Sequence, residues 1–142
     1  MAILILGDGI TTEPVFYPSS ISADHMPLLF KGVSDRVKHY GKDALASGWK
    51  IFTVKQARGR CYYRSKIITI PTWVIDRENH LSRVGEKEWY ISHELAHSWA
   101  GWQAKHGPEF MEALKVICPA TSIHWELGYK PRNAASAGIM RF

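Results

Sequence analysis

The segment HELAHSWAGWQAKHGPEF, residues 93–110, predicts the end of one helix, a tight reversal and the start of a second helix. Four apolar side chains recur at helical spacing around it, within about 80° of one another on a helical projection. They are Ile91, Leu95, Trp99 and Trp102. We therefore expect a long helix over 85–104 that packs this stripe on the core and turns His93 and His97 to the opposite side.

The pattern His-Glu-x-x-His at residues 93–97 indicates a metal site. Side chains four residues apart project from one face of a helix, so the imidazoles of His93 and His97 can reach a single ion. Glu94 is turned from His93 by about 100°, the α-helical repeat. From that position its carboxylate can address a water beside the metal without being a ligand. Hydrolytic zinc chemistry needs this arrangement.

His106 is the best candidate for a third ligand, because a catalytic zinc usually takes three protein ligands and keeps one position open. It lies nine residues after His97 and just before Gly107 and Pro108. We expect Gly107 to adopt backbone angles closed to other residues, and Pro108 to be the first residue of the next helix. The chain can then turn back and direct His106 at the pair on the long helix.

Other sources of a third ligand are weaker. A metzincin would have Gly at position 100 and His at 103, where this chain has Ala100 and Gln103. A downstream carboxylate, as in larger gluzincins, could come from Glu109 or Glu112, although both are more readily interpreted as surface or supporting groups.

The remaining elements predict an α+β fold. Three β-rich runs follow one another at short intervals, which favours a small three-stranded antiparallel meander. The expected order is a short strand over 2–6, an N-terminal helix over 26–46 that Gly41 could interrupt, strands over 50–54, 60–64 and 66–70, a polar loop over 76–83, the long helix, and a helix from Pro108 to before Pro119. The tail over 119–142 shows few periodic signals.

Composition fits one soluble globular domain over residues 1–142. Hydrophobic residues make up 46% of the 142 residues and charged residues 22%, with 18 Lys and Arg against 13 Asp and Glu. Cys61 and Cys118 are too few for a disulfide framework, so we expect two free thiols, with a single bridge as the alternative. The apolar run 2–6 is too short for a signal sequence or a membrane span. We therefore expect a cytoplasmic protein with no membrane association.

The motif and its flanks resemble a known family. His-Glu-Leu-Ala-His followed by the run 106–110, with Gly-Arg-Cys-Tyr-Tyr-Arg at 59–64 and Ile-Ile-Thr-Ile at 67–70 before it, resembles SprT-like, Spartan-type and YgjP-like zinc metallopeptidases. The resemblance covers roughly residues 26–118 and is most specific over 93–110. It implies a minigluzincin-like domain with Zn²⁺ held by His93, His97 and His106 and with Glu94 as general base. Peptide bonds of a protein or peptide substrate would be cleaved by a metal-activated water.

The family also bears on the substrate. Spartan-type members cleave proteins bound or crosslinked to DNA, so the resemblance implies a DNA-associated substrate. This sequence has no zinc ribbon after the motif, which weakens the implied DNA link more than the implied chemistry. A basic cluster interleaved with Tyr62 and Tyr63 could bind phosphates and bases, or be a solvated strand face. It consists of Lys55, Arg58, Arg60, Arg64 and Lys66.

Two further questions remain open from the residues alone. An oxyanion helper is usually needed, and the tail offers His124, Tyr129 and Arg132, each of which could equally be an ordinary surface residue. The competing functions are a nucleic-acid-binding module whose zinc site is structural or catalytically idle, and a hydrolase of non-peptide bonds. Glu94 favours catalysis, because a purely structural site needs no carboxylate beside its first ligand.

Overall fold

The computed structural model describes residues 3–4, 15–16, 21–22 and 26–128, and it confirms an α+β fold. The strands are β1 (Ile3–Leu4), β2 (Val15–Phe16), β3 (Ile21–Ser22), β4 (Lys50–Val54), β5 (Arg60–Tyr62) and β6 (Ile67–Pro71). The helices are α1 (Met26–Leu29), α2 (Asp35–Ala46), α3 (Thr72–Asp76), α4 (Glu86–Ala100) and α5 (Pro108–Ile117). Short 3₁₀ helices span Leu81–Arg83 and Trp102–Ala104, and a helical turn spans 124–128.

The sheet that supports the site is mixed, and the expected antiparallel meander is wrong. Its strand order is β3-β4-β6-β5, with β4 parallel to β6 and β5 antiparallel to β6. After β4 the chain passes to the far side of β6, forms β5, and returns by a hairpin into the centre. The run 67–71 is buried at every position, as a central strand requires. All its residues except Thr69 are apolar, which is typical of a strand covered on both faces.

The expected N-terminal helix is two helices. A turn at Gly32, where φ is +74°, separates α1 from α2. Ser34 then caps α2, with its hydroxyl accepting a hydrogen bond from the Val37 amide at 3.4 Å. Gly41 does not interrupt α2 but lies buried within it. Glycine suits this position because a Cβ there would meet the Phe30 ring at 2.9 Å.

Helix α4 is buried on both sides, which corrects the expected division into a core stripe and an opposite face. It contacts the sheet through β5 and β6, and it contacts α2 and α5 as well. Consequently His93 is 1% exposed although it lies opposite Leu95. Trp99 and Trp102, expected in the core, are 55% and 62% exposed; α4 ends at Ala100, so Trp102 lies beyond it in the following 3₁₀ helix and does not continue the apolar stripe.

Buried charges fix the start of α4. Glu86 accepts two hydrogen bonds from the Arg77 guanidinium, at 2.8 and 2.7 Å. Lys87 donates to the carbonyl oxygens of Leu28 and Lys31, both at 2.9 Å, and thereby closes the turn between α1 and α2. A buried charge that loses its partner costs free energy of folding. These contacts therefore hold the helix in one register and position.

Gly59 ties β5 to α4, and its substitution is expected to destabilise the protein. Its amide donates to the Tyr90 hydroxyl at 2.8 Å, and a Cβ there would collide with the Thr69 carbonyl oxygen. Gly59→Ala should therefore lower the free energy of unfolding by about 1–3 kcal/mol, measured by urea denaturation. Gly128→Ala is the control, since no atom of the described residues lies within 4 Å of its Cβ position. Equal stability of the two variants would contradict the tight approach.

Candidate metal centre

Three imidazoles converge at the end of α4. His93 and His97 lie on α4, and His106 lies in the loop between the second 3₁₀ helix and α5. Their Nε2 atoms are 3.2 Å apart for His93 and His97, 3.1 Å for His97 and His106, and 3.4 Å for His93 and His106. These three residues could bind a metal ion. Among the described residues, they form the one group of three His, Cys, Asp or Glu side chains close enough together to do so.

The spacing fits a single tetrahedral ion. Two imidazole nitrogens at about 2.0–2.1 Å from zinc, separated by the tetrahedral angle, lie about 3.3–3.4 Å from each other. The three observed separations run from 3.1 to 3.4 Å. Imidazole lone pairs repel at this distance unless a proton or a cation lies between them. The donor atoms therefore already have the geometry that a bound ion would require.

The unusual backbone angles of the loop that carries His106 lie at residues other than Gly107, where we expected them. Gly107 has φ of −81°, an angle that any residue adopts, so that prediction is wrong. The positive φ angles are at Gly101, +91°, which ends α4, and at Lys105, +48°. Gly107 is favoured instead by close approach, since a Cβ there would lie 3.1 Å from the Ala104 carbonyl oxygen. Pro108 begins α5 as expected.

Phe110 forms the floor beneath the three rings. It is fully buried, and its ring centroid lies 4.9 Å from that of His93, 4.5 Å from His97 and 5.0 Å from His106. The Phe110 side chain on α5 therefore packs against imidazoles from both α4 and the following loop and sets their positions. An apolar floor also keeps the local dielectric constant low, which strengthens electrostatic interactions at the site.

His97 is held in the form that binds metals. Burial, followed by the charges of His93 and His106, lowers the pKa of the His97 imidazole far below its ordinary value. A neutral ring has one nitrogen lone pair to offer. Its Nδ1 is buried and has no hydrogen-bond partner among the described residues, while its Nε2 faces the other two rings.

Glu94 is a buried carboxyl without donors. It is 0% exposed, and neither Oε1 nor Oε2 has a hydrogen-bond partner in the described part of the chain. Burial raises the pKa of Glu94 to about 7, against the opposing effect of His93; Glu126 raises it further and Arg60 lowers it. Buried polar atoms are nearly always paired. Two orphaned oxygens on the residue that follows His93 fit a site that holds an ion and a water, and this is the second observation in favour of a metal.

Glu126 is the residue that sequence reasoning missed. It lies in the helical turn 124–128 and is 4% exposed. Its Oε1 is 2.7 Å from Nδ1 of His93 and accepts from Trp89 Nε1 at 3.1 Å. Burial alone would raise the pKa of Glu126, but the hydrogen bonds from His93 and Trp89 outweigh burial and hold that pKa below its ordinary value. No local pattern of the sequence marks this segment, because a single helical turn is too short to show a period.

The other expected site residues lie elsewhere or outside the description. Glu109 and Glu112 are exposed on α5, apart from the three histidines. His124 is exposed, with its ring 3.1 Å from the Thr121 carbonyl oxygen. Tyr129 and Arg132 lie outside the described residues. The five cations of the basic cluster are all exposed: Lys55, Arg58, Arg60, Arg64 and Lys66.

The aromatic rings of the basic cluster do not share that exposure. Tyr62 is buried in a small apolar cluster with Val54 and Ile67, so its face is not available for stacking on a base. Tyr63 is half-buried, and burial, with the charges of Cys61 and Glu94, raises the pKa of its hydroxyl.

Both Cys61 and Cys118 are free thiols, as expected.

Two general findings complete the description. Over residues 26–128 and the three short strands before them, no helix has the length and apolar character needed to cross a membrane. Comparison of the chain with protein-family models, with curated proteins and with solved structures finds no match.

Proposed function

We propose that the protein is a zinc-dependent peptidase in which His93, His97 and His106 hold the metal and Glu94 is the general base. The observation that carries the proposal is the convergence of three Nε2 atoms together with a buried, unpartnered carboxyl on Glu94, the residue that follows His93 on α4. A site that served only to stabilise the fold would not retain a carboxyl whose oxygens have no donors, because such burial costs free energy.

Zinc is the metal that best suits this donor set. Three imidazoles and no carboxylate ligand differ from the two-histidine, one-carboxylate sites of non-haem iron and from the oxygen ligands that magnesium and calcium prefer. Three protein ligands leave a fourth tetrahedral position for water or substrate. When bound, zinc would lower the pKa of a water and polarise a substrate carbonyl.

Glu94 supplies the proton transfer in this proposal. Its oxygens have no competing donors among the described residues, so they are free to accept a proton from a water and to return it to the leaving amine. In the metal-free protein burial raises its pKa to about 7, which is near the pH at which a general acid–base group is most effective. Glu94 is 0% exposed, so bulk water has little access to its carboxyl.

A polypeptide substrate is favoured by the strand beside the site. In the described sheet β5 is an edge strand, and α4 packs against it. The charge of Glu94 acts on Cys61 and Tyr63, and Arg60 acts on Glu94, so this strand lies close to the carboxyl. An extended peptide could add to the edge by main-chain hydrogen bonds and thereby present its scissile bond to the three histidines.

The test combines metal content with cleavage. Protein purified without chelator should contain one zinc per chain and should cleave casein and a DNA-bound protein substrate. A chelator should abolish cleavage, and added zinc should restore it. Zinc retained with no cleavage of either substrate would contradict the peptidase. Absence of metal after zinc reconstitution would contradict the metal centre itself.

A second candidate is a nucleic-acid-binding module with a structural or catalytically idle zinc site. It is favoured by the exposed cations of the basic cluster, which lie in a stretch, 44–75, that contains no acidic residue. Salt-dependent binding to single-stranded DNA, lost when the cations are replaced by alanine, would support it. DNA binding by itself is compatible with a peptidase, because cleavage of a DNA-bound protein would use both surfaces, so the absence of cleavage is what distinguishes the second candidate from the first.

A further inference from the structure

The carboxylate of Glu126 reaches the metal centre from the far end of the described chain. Its Oε1 is 2.7 Å from His93 Nδ1, on the side of the ring away from His97 and His106. A carboxylate has only acceptors, so the proton of this hydrogen bond comes from Nδ1. The lone pair of His93 is then on Nε2, which faces the other two rings.

The segment that carries Glu126 is fixed to the start of α4. Ser122 donates from Oγ to Glu88 Oε1 at 2.8 Å, and Trp125 donates from Nε1 to the Val84 carbonyl oxygen at 2.9 Å. The Trp125 ring also stacks on Trp89, with centroids 6.4 Å apart. Trp89 in turn donates to Glu126 itself at 3.1 Å. The carboxylate therefore has little freedom to leave the imidazole.

We propose that Glu126 is a positioning residue for the metal centre: it fixes the tautomer and the orientation of His93, and its negative charge makes His93 a stronger ligand. The inference rests on the proposed metal site but not on peptidase activity. Partners of this kind orient metal ligands and raise their basicity, and their loss typically lowers metal affinity by about 10–100-fold.

The consequence for His93 differs from that for His97. His97 Nδ1 has no hydrogen-bond partner among the described residues, so its ring is oriented by packing against Phe110 and the other imidazoles. His93, in contrast, has a charged partner that specifies which nitrogen carries the proton. Loss of Glu126 should therefore release the tautomer of His93 without a matching change at His97.

The test separates the charge of Glu126 from its hydrogen bond. Glu126→Gln keeps an oxygen that can accept from Nδ1 but loses the charge, and it should bind Zn²⁺ about 10-fold more weakly than the wild type. Glu126→Ala loses both and should approach a loss of about 100-fold. Affinities are measured by competition with a chromophoric chelator. Asp43→Asn, the same carboxylate-to-amide change at an exposed site on α2, is the control and should bind as the wild type does.

A second readout, taken on variants that are folded, keeps the test independent of activity. In the metal-free protein, ¹⁵N spectra of the imidazoles should show His93 protonated at Nδ1, and Glu126→Ala should give a mixture of tautomers, whereas a merely structural role would leave the tautomer unchanged. Unaltered affinity and tautomer in a folded Glu126→Gln and Glu126→Ala pair would overturn the inference alone. Failure of the wild type to bind Zn²⁺ would overturn the metal centre, and normal binding without cleavage of casein or of the DNA-bound protein would overturn only the peptidase.

Discussion

Glu94→Gln is expected to lower the rate of casein cleavage by about 10²–10⁴-fold and to leave the zinc content unchanged. Glutamine has nearly the same size as glutamate but cannot accept a proton from water at neutral pH. The three ligand nitrogens lie outside the changed group, so metal binding should persist. The measurement is kcat together with zinc content on the same preparation, which also separates this protein's activity from a contaminating protease. Full activity in Glu94→Gln would exclude Glu94 as the base.

Replacement of Glu94 by an apolar residue should make the metal-free protein more stable, although substitution of the same residue is expected to lower activity. Both carboxylate oxygens are buried without donors, so the residue opposes folding of the metal-free protein. Glu94→Leu should therefore raise the free energy of unfolding of the metal-free protein by about 1–3 kcal/mol, measured by urea denaturation. A gain in stability with a loss of activity is typical of a residue retained for chemistry. A loss of stability would indicate that Glu94 has a structural partner.

Phe110→Ala is expected to lower the free energy of unfolding by about 3–5 kcal/mol. The ring is fully buried and touches all three imidazoles, so its removal leaves a cavity directly beneath the candidate ligands. The rings can then relax away from the separations of 3.1–3.4 Å, and zinc affinity should fall as well. Urea denaturation and chelator competition measure the two effects.

A matched control for Phe110 lies on the same helix. Val116 is 42% exposed on α5, so Val116→Ala should change stability by no more than about 0.5 kcal/mol and should leave zinc affinity unaltered. If Phe110→Ala destabilised the protein but bound zinc normally, the ring would be a core residue only. The floor beneath the imidazoles would then have no part in arranging the ligands.

Local patterns predicted the elements better than their arrangement. The spacing of His93, Glu94 and His97 is a property of one helix, and Pro108 marks the start of the next, so both could be predicted from sequence. The order of β4, β5 and β6 depends on which strand is covered on both faces, and short connections cannot specify that. The exposure of Trp99 depends on where neighbouring elements end, which periodicity does not contain.

The site was predictable where its residues are close in sequence and unpredictable where they are not. His106 follows His97 by nine residues and could be connected to it through a turn. Glu126 follows His93 by 33 residues and belongs to a segment whose single helical turn is too short to show a period. Its partnership with His93 arises from packing of Trp125 and Ser122 on α4, and such tertiary contacts are not encoded in a local pattern.

The double burial of α4 has a consequence for motion. A helix covered by the sheet on one side and by other helices on the other opens only when much of the domain opens, so its amide hydrogens should be among the slowest to exchange with solvent. His93, Glu94 and His97 therefore sit on the least deformable element. Any movement that admits a bulky substrate must come from the surrounding pieces, namely the edge strand β5 and the loop 101–107 that carries His106.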